Sequence, residues 1–196
     1  MANYIETKFT IPELKGISAK TTETHLKLYA GYVKHTNLIL DQIAELSKDS
    51  EKNAFALGEL QRRFGFEFDG MRNHEYFFKQ FEGGSTSLTA SGPLAKAIEA
   101  EWGSFDAWLT RFKAIGMTRG IGWAILYYDA QADKLVNTWV DEQHLGQLTG
   151  LKFILGLDMW EHSYLLDYAP ADKKQYIDAF FDNLNWKVVE ERFAGK

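Results

Sequence analysis

Apolar residues recur at helical spacing through the front half of this chain and shift to strand spacing within the back half, and that shift restricts the fold more than any other feature. Leu28, Tyr32, Leu38, Ile39, Ile43 and Leu46 mark one stretch, and Leu57, Leu60, Phe64, Met71, Phe77 and Phe78 mark the next. Lys48-Asp49-Ser50 separates the two, which predicts an antiparallel helical hairpin. Thr22, Glu23 and Thr24 offer capping oxygens at its start, and Gly65 and Gly70 are points where the second helix could kink. Gly83-Gly84-Ser85-Thr86-Ser87 is the strongest break in the chain. Beyond it, Pro93 suits the first turn of a helix, and Ser104 is placed to cap another. The period then shortens. Residues 123–129 are an apolar run of strand length, 134–142 alternate, and 151–157 form a third run. Two more helices follow Pro170, over about 172–183 and 186–193. The expectation is an α+β fold. A helical hairpin domain spans 1–87, and a mixed domain with a three-stranded antiparallel sheet and flanking helices spans 88–196.

Composition excludes several classes of function. None of the 196 residues is Cys, so disulfides, thiolate metal sites and cysteine nucleophiles are ruled out. A net charge of −5 argues against nucleic-acid binding. No apolar run approaches the roughly 18 residues that a membrane helix needs, and no secretory signal is visible, which points to a cytoplasmic protein. Aromatic residues make up 15%, six of them Trp, enough for a core and for an aromatic-walled site.

The candidate chemistry lies in histidines and one aspartate. His25 falls in the first turns of helix one, and His74 sits among Phe66, Phe68, Tyr76, Phe77 and Phe78 on helix two. Asp158 ends the most apolar strand, and His162 follows four residues later. Each has a plain structural reading: a solvated or packed His, and an Asp that caps the next helix. Together they could supply three imidazoles and one carboxylate, donors that suit manganese, iron or zinc. Glu-x-x-His, His-Glu-x-x-His, a phosphate-binding Gly-rich loop and Gly-x-Ser-x-Gly are all absent. Arg119-Gly120-Ile121-Gly122-Trp123 begins a strand and so fits a dinucleotide fingerprint poorly. His35, beside Lys34, reads as solvated.

Asp158-Met159-Trp160-Glu161-His162-Ser163-Tyr164 strongly resembles the C-terminal signature of the iron/manganese superoxide dismutases. Further matches are Asn73-His74 followed by aromatics, Trp102-Gly103-Ser104-Phe105 with Phe112-Lys113, Gly120-Ile121-Gly122-Trp123, and Asn185-Trp186. The resemblance implies the ligands His25, His74, Asp158 and His162 around one manganese ion per chain, with iron as the alternative. It implies a fifth position for water or hydroxide, and disproportionation of superoxide to dioxygen and hydrogen peroxide. A homodimer or tetramer is implied as well. The alternatives are a non-dismutating metal-binding relative of the same fold, and a zinc hydrolase using Asp158 and His162.

The family's hydrogen-bond donor to the bound solvent is a Gln, supplied either from the second helix or from the loop before the third strand. This chain has Gly70 at the helix position and Gln143 at the loop position, with His144 adjacent as the other candidate. Gly in the helix with Gln in the loop is the pattern more typical of manganese members. Trp123 and Trp160 would be aromatic walls, and Glu161 would reach His162 of the partner subunit. The gateway tyrosine usually follows the first ligand by eight residues. Here Tyr32 follows His25 by seven, with Tyr29 the alternative, as though a helix bulge were missing. Leu165 replaces a Tyr that usually links the two subunits. Lys27, Lys34 and Arg72 are candidate charges for steering an anion.

Overall fold

The computed structural model describes residues 3–195. Two long helices come first, α1 (Ala19–Leu46) and α2 (Ala54–Lys79), joined through a 3-10 turn at Ser47–Asp49. Then follow α3 (Pro93–Trp102), α4 (Phe105–Gly116), β1 (Gly122–Asp129), β2 (Lys134–Asp141), β3 (Lys152–Asp158), α5 (Lys173–Asn183) and α6 (Trp186–Ala194). The strands form one antiparallel sheet in the order β2-β1-β3. The expected α+β architecture is therefore present, with a helical pair in front and helices around a three-stranded sheet behind.

Three details of the hairpin differ from the sequence reading. The cap of α1 is Ser18, whose hydroxyl accepts from Thr21 N at 3.1 Å, and not Thr22. The buried stripe of α1 is Thr21, His25, Tyr29, Tyr32, Val33, Thr36 and Ile39, whereas Leu38 is exposed. His25 and Tyr32 on that stripe turn toward the other histidines, and Thr21 and Tyr29 bond to neighbouring segments, positions that apolar periodicity cannot show. α2 runs without a break through Gly65 and Gly70. Gly70 serves close approach instead, since a Cβ there would lie 2.5 Å from Cδ1 of Tyr32.

Three contacts fix the elements that carry the expected ligands relative to one another. Trp123 of β1 pairs in register with Asp158 of β3. Next, the Gln80 side chain, just past α2, brackets Gly156 on the outer edge of β3. Its Nε2 donates to Gly156 O, and its Oε1 accepts from Gly156 N, both at 2.9 Å. The amide thus acts as one residue of an extra strand and satisfies an edge that would otherwise be open. Third, Asp167, in the segment after His162, accepts from Ser18 N at 2.8 Å and from the Thr21 hydroxyl at 2.7 Å. A carboxylate at a helix N-terminus is favoured by the backbone dipoles there. It ties the first turns of α1 to the chain that carries the last histidine.

Candidate metal centre

His25 on α1, His74 on α2, Asp158 at the end of β3 and His162 in the 3-10 turn Glu161–Ser163 converge on one point. One ligand atom from each lies within 4.8 Å of the others. Asp158 Oδ2 is the hub: Nε2 of His162, His25 and His74 stand 3.0, 3.1 and 3.4 Å from it. Asp158 and His74 are fully buried and His25 nearly so, while the His162 side chain keeps 19% exposure.

Two of the ligands, Asp158 and His74, are held from behind. The Asp158 carboxylate divides its work, because Oδ1 accepts from Trp160 N at 2.8 Å. Asp158 therefore does not cap the next helical turn, whose N-cap position is Trp160 and carries no side-chain bond; Oδ1 instead closes a local turn onto Trp160 N and leaves Oδ2 to face the imidazoles. The Asp158 carbonyl accepts from the Tyr176 and Ser163 hydroxyls at 2.9 and 3.0 Å. His74 Nδ1 donates to Gly70 O at 2.5 Å. A carbonyl can only accept, so the ring proton sits on Nδ1 and the Nε2 lone pair faces the centre. That Nε2 is buried and makes no hydrogen bond. A buried acceptor without a partner is costly, and a cation at the centre would supply the missing contact. Three nitrogens and one carboxylate oxygen fit a first-row transition ion with limited net charge in the site.

Electrostatics favour the ligating protonation states. Burial lowers the His25 imidazole below its ordinary value and lowers His74 well below it, so both stay neutral. Burial alone would raise the Asp158 carboxyl, but the His162 and His25 imidazoles beside it hold it well below the usual carboxylate range. A pH dependence follows. The unfolded histidines titrate near 6.5, and the native ones below that. Below pH 6.5 the unfolded chain takes up more protons, so the stability of the metal-free protein falls with acidification. Protons also compete for the Nε2 lone pairs, so metal retention falls in the same direction. Thermal unfolding and metal content measured from about pH 7.5 down to about pH 5 are expected to decline together. A flat profile would contradict these protonation states.

Around the ligands lie the other residues singled out in the sequence. Tyr32 packs its ring 5.2 Å from that of His74, and its hydroxyl accepts from Gln143 Nε2 at 3.0 Å. Trp123 Nε1 donates to Gln143 Oε1 at 2.8 Å, and its ring stands edge-on to His74 at 5.1 Å. Trp160 stacks on His162 with ring centroids 5.7 Å apart. Tyr29 points elsewhere: its hydroxyl accepts from Thr7 N and donates to Glu75. His144 sets its ring edge-on to Phe66, and its Nδ1 is buried without a hydrogen bond. Glu161 is exposed at the surface. Lys27 and Arg72 are paired with Glu23 and Glu75 at 2.6 and 2.5 Å. α1 is a regular α-helix through its whole length, in keeping with the short His25-to-Tyr32 spacing. Sequence reasoning gave no role to Asp167, Ser163 and Tyr176: Asp167 and Tyr176 act across 149 and 18 residues of chain, Ser163 reaches back to the Asp158 carbonyl from five residues on, and none of these contacts leaves a periodic mark.

Gly70 accounts for why a helix-borne donor has no room here. Any side chain at position 70 meets the Tyr32 ring at 2.5–3.0 Å. Gly70→Ala is expected to cost about 1–3 kcal/mol through overpacking and to disturb the Tyr32–Gln143 bond. Chemical denaturation together with turnover measurements checks this, and an unchanged variant would contradict the contact.

Comparison with known proteins agrees with this geometry. A family model described as iron/manganese superoxide dismutases, C-terminal domain, matches residues 90–192. The chain is 37% identical to an iron superoxide dismutase of Cupriavidus metallidurans, over 93% of this chain and 91% of that one. It is 32% identical to a manganese superoxide dismutase of Mycolicibacterium fortuitum, over 95% and 93% of the two chains. A manganese superoxide dismutase of Halobacterium salinarum is 36% identical, over 87% and 82%. The relatives are thus divided between iron and manganese. None of these matches favours a zinc hydrolase. With the four-ligand centre and this similarity along nearly its whole length, the chain belongs to the iron/manganese superoxide dismutases, with a single iron or manganese site built from His25, His74, Asp158 and His162.

Proposed function

We propose that the native metal is manganese, one ion per chain, and that Gln143 and Tyr32 complete the site for disproportionation of superoxide. The observation that carries this reading is the placement of Gln143. It enters from the loop, is fully buried, and binds Tyr32 and Trp123, while Gly70 leaves the helix position bare. In the resemblance set out above, that combination is the one more typical of manganese members.

When bound, the metal supplies one chemistry: it accepts an electron from one superoxide ion and returns it to another. Two superoxide ions and two protons yield one dioxygen and one hydrogen peroxide, so the chain must hold and deliver protons. Burial raises the Tyr32 hydroxyl above its ordinary value, and the Asp158 and Glu67 carboxylates add to the rise. Tyr32 therefore stays protonated through the neutral range and can donate. Gln143 holds that hydroxyl in place, and with a metal bound its remaining amide N–H would be the donor to a solvent ligand and so would bias the site between oxidation states. Trp123 and Trp160 wall the centre and keep it small. His144 contributes packing against Phe66.

Residues 1–87 supply His25 and His74, and 88–196 supply Asp158 and His162, so the two proposed domains meet at the metal. The assembly we propose is a homodimer, or a tetramer built from it. Exposed Glu161 stands beside the apolar Leu165 and Leu166, exposed by 42% and 51%, and His162 is partly open on that side. A second copy covering this face would let Glu161 orient His162 of the partner subunit. A cytoplasmic location completes the proposal. The deciding experiment is to strip the protein, reload it with manganese or iron separately, and measure metal content and superoxide disproportionation. Higher turnover with manganese supports the assignment, and activity with iron alone overturns it.

A further inference from the structure

The Gln143 side chain ends on Tyr32 and Trp123, whose rings pack against His74, but its backbone lies in a loop between two strands. That loop needs something to set its depth. Its ends are closed by Asp141 N donating to Leu145 O at 2.9 Å and by Leu145 N donating to Asp141 O at 3.1 Å. Glu142 takes a left-handed conformation, with φ of 51°. These contacts shape the loop without attaching Gln143 to the ligand helix. The attachment is a triangle of amides. The Gln143 carbonyl accepts from Asn73 Nδ2 at 2.9 Å and from Gln147 Nε2 at 3.1 Å. Gln147 Nε2 also donates to Asn73 Oδ1 at 3.1 Å, which closes the triangle. Its other end is anchored, because Gln147 Oε1 accepts from the Tyr127 hydroxyl of β1.

We propose that Gln147 is a positioning residue for Gln143. It links the loop to α2 at the residue before ligand His74, and to β1 at Tyr127. Asn73 is nearly fully buried, whereas Gln147 is half-buried in a cleft of about 460 Å³ together with Asp69, Arg72 and Lys152. Gln147 touches no ligand. One amide donor serves two acceptors, and the amide oxygen takes the one proton that Tyr127 can give. Every polar atom of Gln147 thus has a partner only when the loop, α2 and β1 sit at their observed spacing. A two-point contact to a carbonyl restrains both the rotation and the depth of the Gln143 peptide. The inference rests on the reading of Gln143 as the tuning donor, and it extends that reading to what holds the donor in place.

The test uses Gln147→Met in the metal-loaded protein, since Met keeps the volume and removes both polar ends. Hydrogen exchange of the 141–148 backbone is expected to rise about tenfold, with α1 unchanged. Metal content is expected to stay at the level of the unmodified protein. Turnover is expected to fall about three- to tenfold, and the pH profile to shift toward that of Gln143→Ala. In the Gln143→Ala background the same change is expected to lower turnover no further, because the two residues act as one unit. Unchanged loop exchange would overturn the proposal, as would an equal loss of turnover in the Gln143→Ala background. A fall in metal content would also overturn it, by moving the action of Gln147 to His74. If Gln147→Met does not fold, Tyr127→Phe removes only the hydroxyl that orients Gln147 and is expected to give the same signs with smaller size. The two readings fail separately. Gln143→Ala with normal turnover and pH profile would defeat the role of Gln143, and loop exchange would still report on the positioning link.

Discussion

Asp158→Ala protein is expected to purify without stoichiometric metal and without superoxide disproportionation. Asp158 is the sole anionic donor among the four ligands, and its Oδ2 is the atom on which three imidazoles close. Without it, a divalent or trivalent ion would meet only neutral nitrogens in a buried site, where charge is costly to leave unbalanced. Changes to groups that merely orient ligands weaken metal sites about 10–100-fold, so loss of a charged ligand is expected to exceed that. The substitution also removes the acceptor for Trp160 N. Asp158→Asn separates the two effects, because the amide oxygen can keep the bond to Trp160 while the charge is gone. That variant is expected to keep the fold and lose most of the metal. Elemental analysis of both proteins, with circular dichroism for the fold, checks the prediction. Full occupancy in Asp158→Ala would mean that the centre does not depend on the hub seen here.

The second large effect is expected far from any ligand in sequence. Arg192 on α6 donates to Tyr76 O at 2.6 Å, Ile154 O at 3.2 Å and Gln80 Oε1 at 3.3 Å. Tyr76 lies two residues past His74, and Ile154 lies four before Asp158. Its guanidinium also stands 5.0 Å over the Tyr76 ring. Burial lowers its pKa to about 10, still far above neutrality, so the group stays charged. Arg192→Ala leaves two backbone carbonyls and the Gln80 amide short of a donor, and opens a gap between α6, α2 and β3. A loss of about 3 kcal/mol is expected from the charged hydrogen bonds alone. Because the bond network joins the elements carrying two ligands, metal retention at elevated temperature is expected to fall as well. Denaturant unfolding of the metal-free and metal-loaded forms measures both. An exposed Arg with no structural role would change neither by more than a few tenths of a kcal/mol.

Much of this centre was legible in the sequence because its pieces are local patterns. Residues 158–164 form a compact signature, and His74 stands in a run of aromatics on a helical period. The strands and the turn at residues 129–133 also carry local signals. There the Asp129 carboxylate accepts from Gln131 N and Ala132 N at 2.9 and 3.2 Å. Legibility ended where long-range contacts decide. Thr22 and Ser18 are equally good caps on local grounds, and Asp167 favours Ser18 by binding the turn from across the molecule. Tyr29 and Tyr32 are both tyrosines on one helix three residues apart. Only the path of the loop holding Gln143 distinguishes their hydroxyl partners.

By itself, the order of residues determined the elements, the succession of helical hairpin and mixed sheet, and the four side chains able to share an ion. These depend on periodicity and on chemical type, which are properties of short segments. Tertiary structure alone decided which oxygen of Asp158 faces the imidazoles and which nitrogen of His74 is bare. It likewise decided that Gly70 yields its space to Tyr32, and that Gln80, Arg192 and Gln147 brace the elements carrying the site. Such choices are made by hydrogen-bond donors and acceptors meeting across many residues of chain. Their partners exist only once the backbone has closed around them.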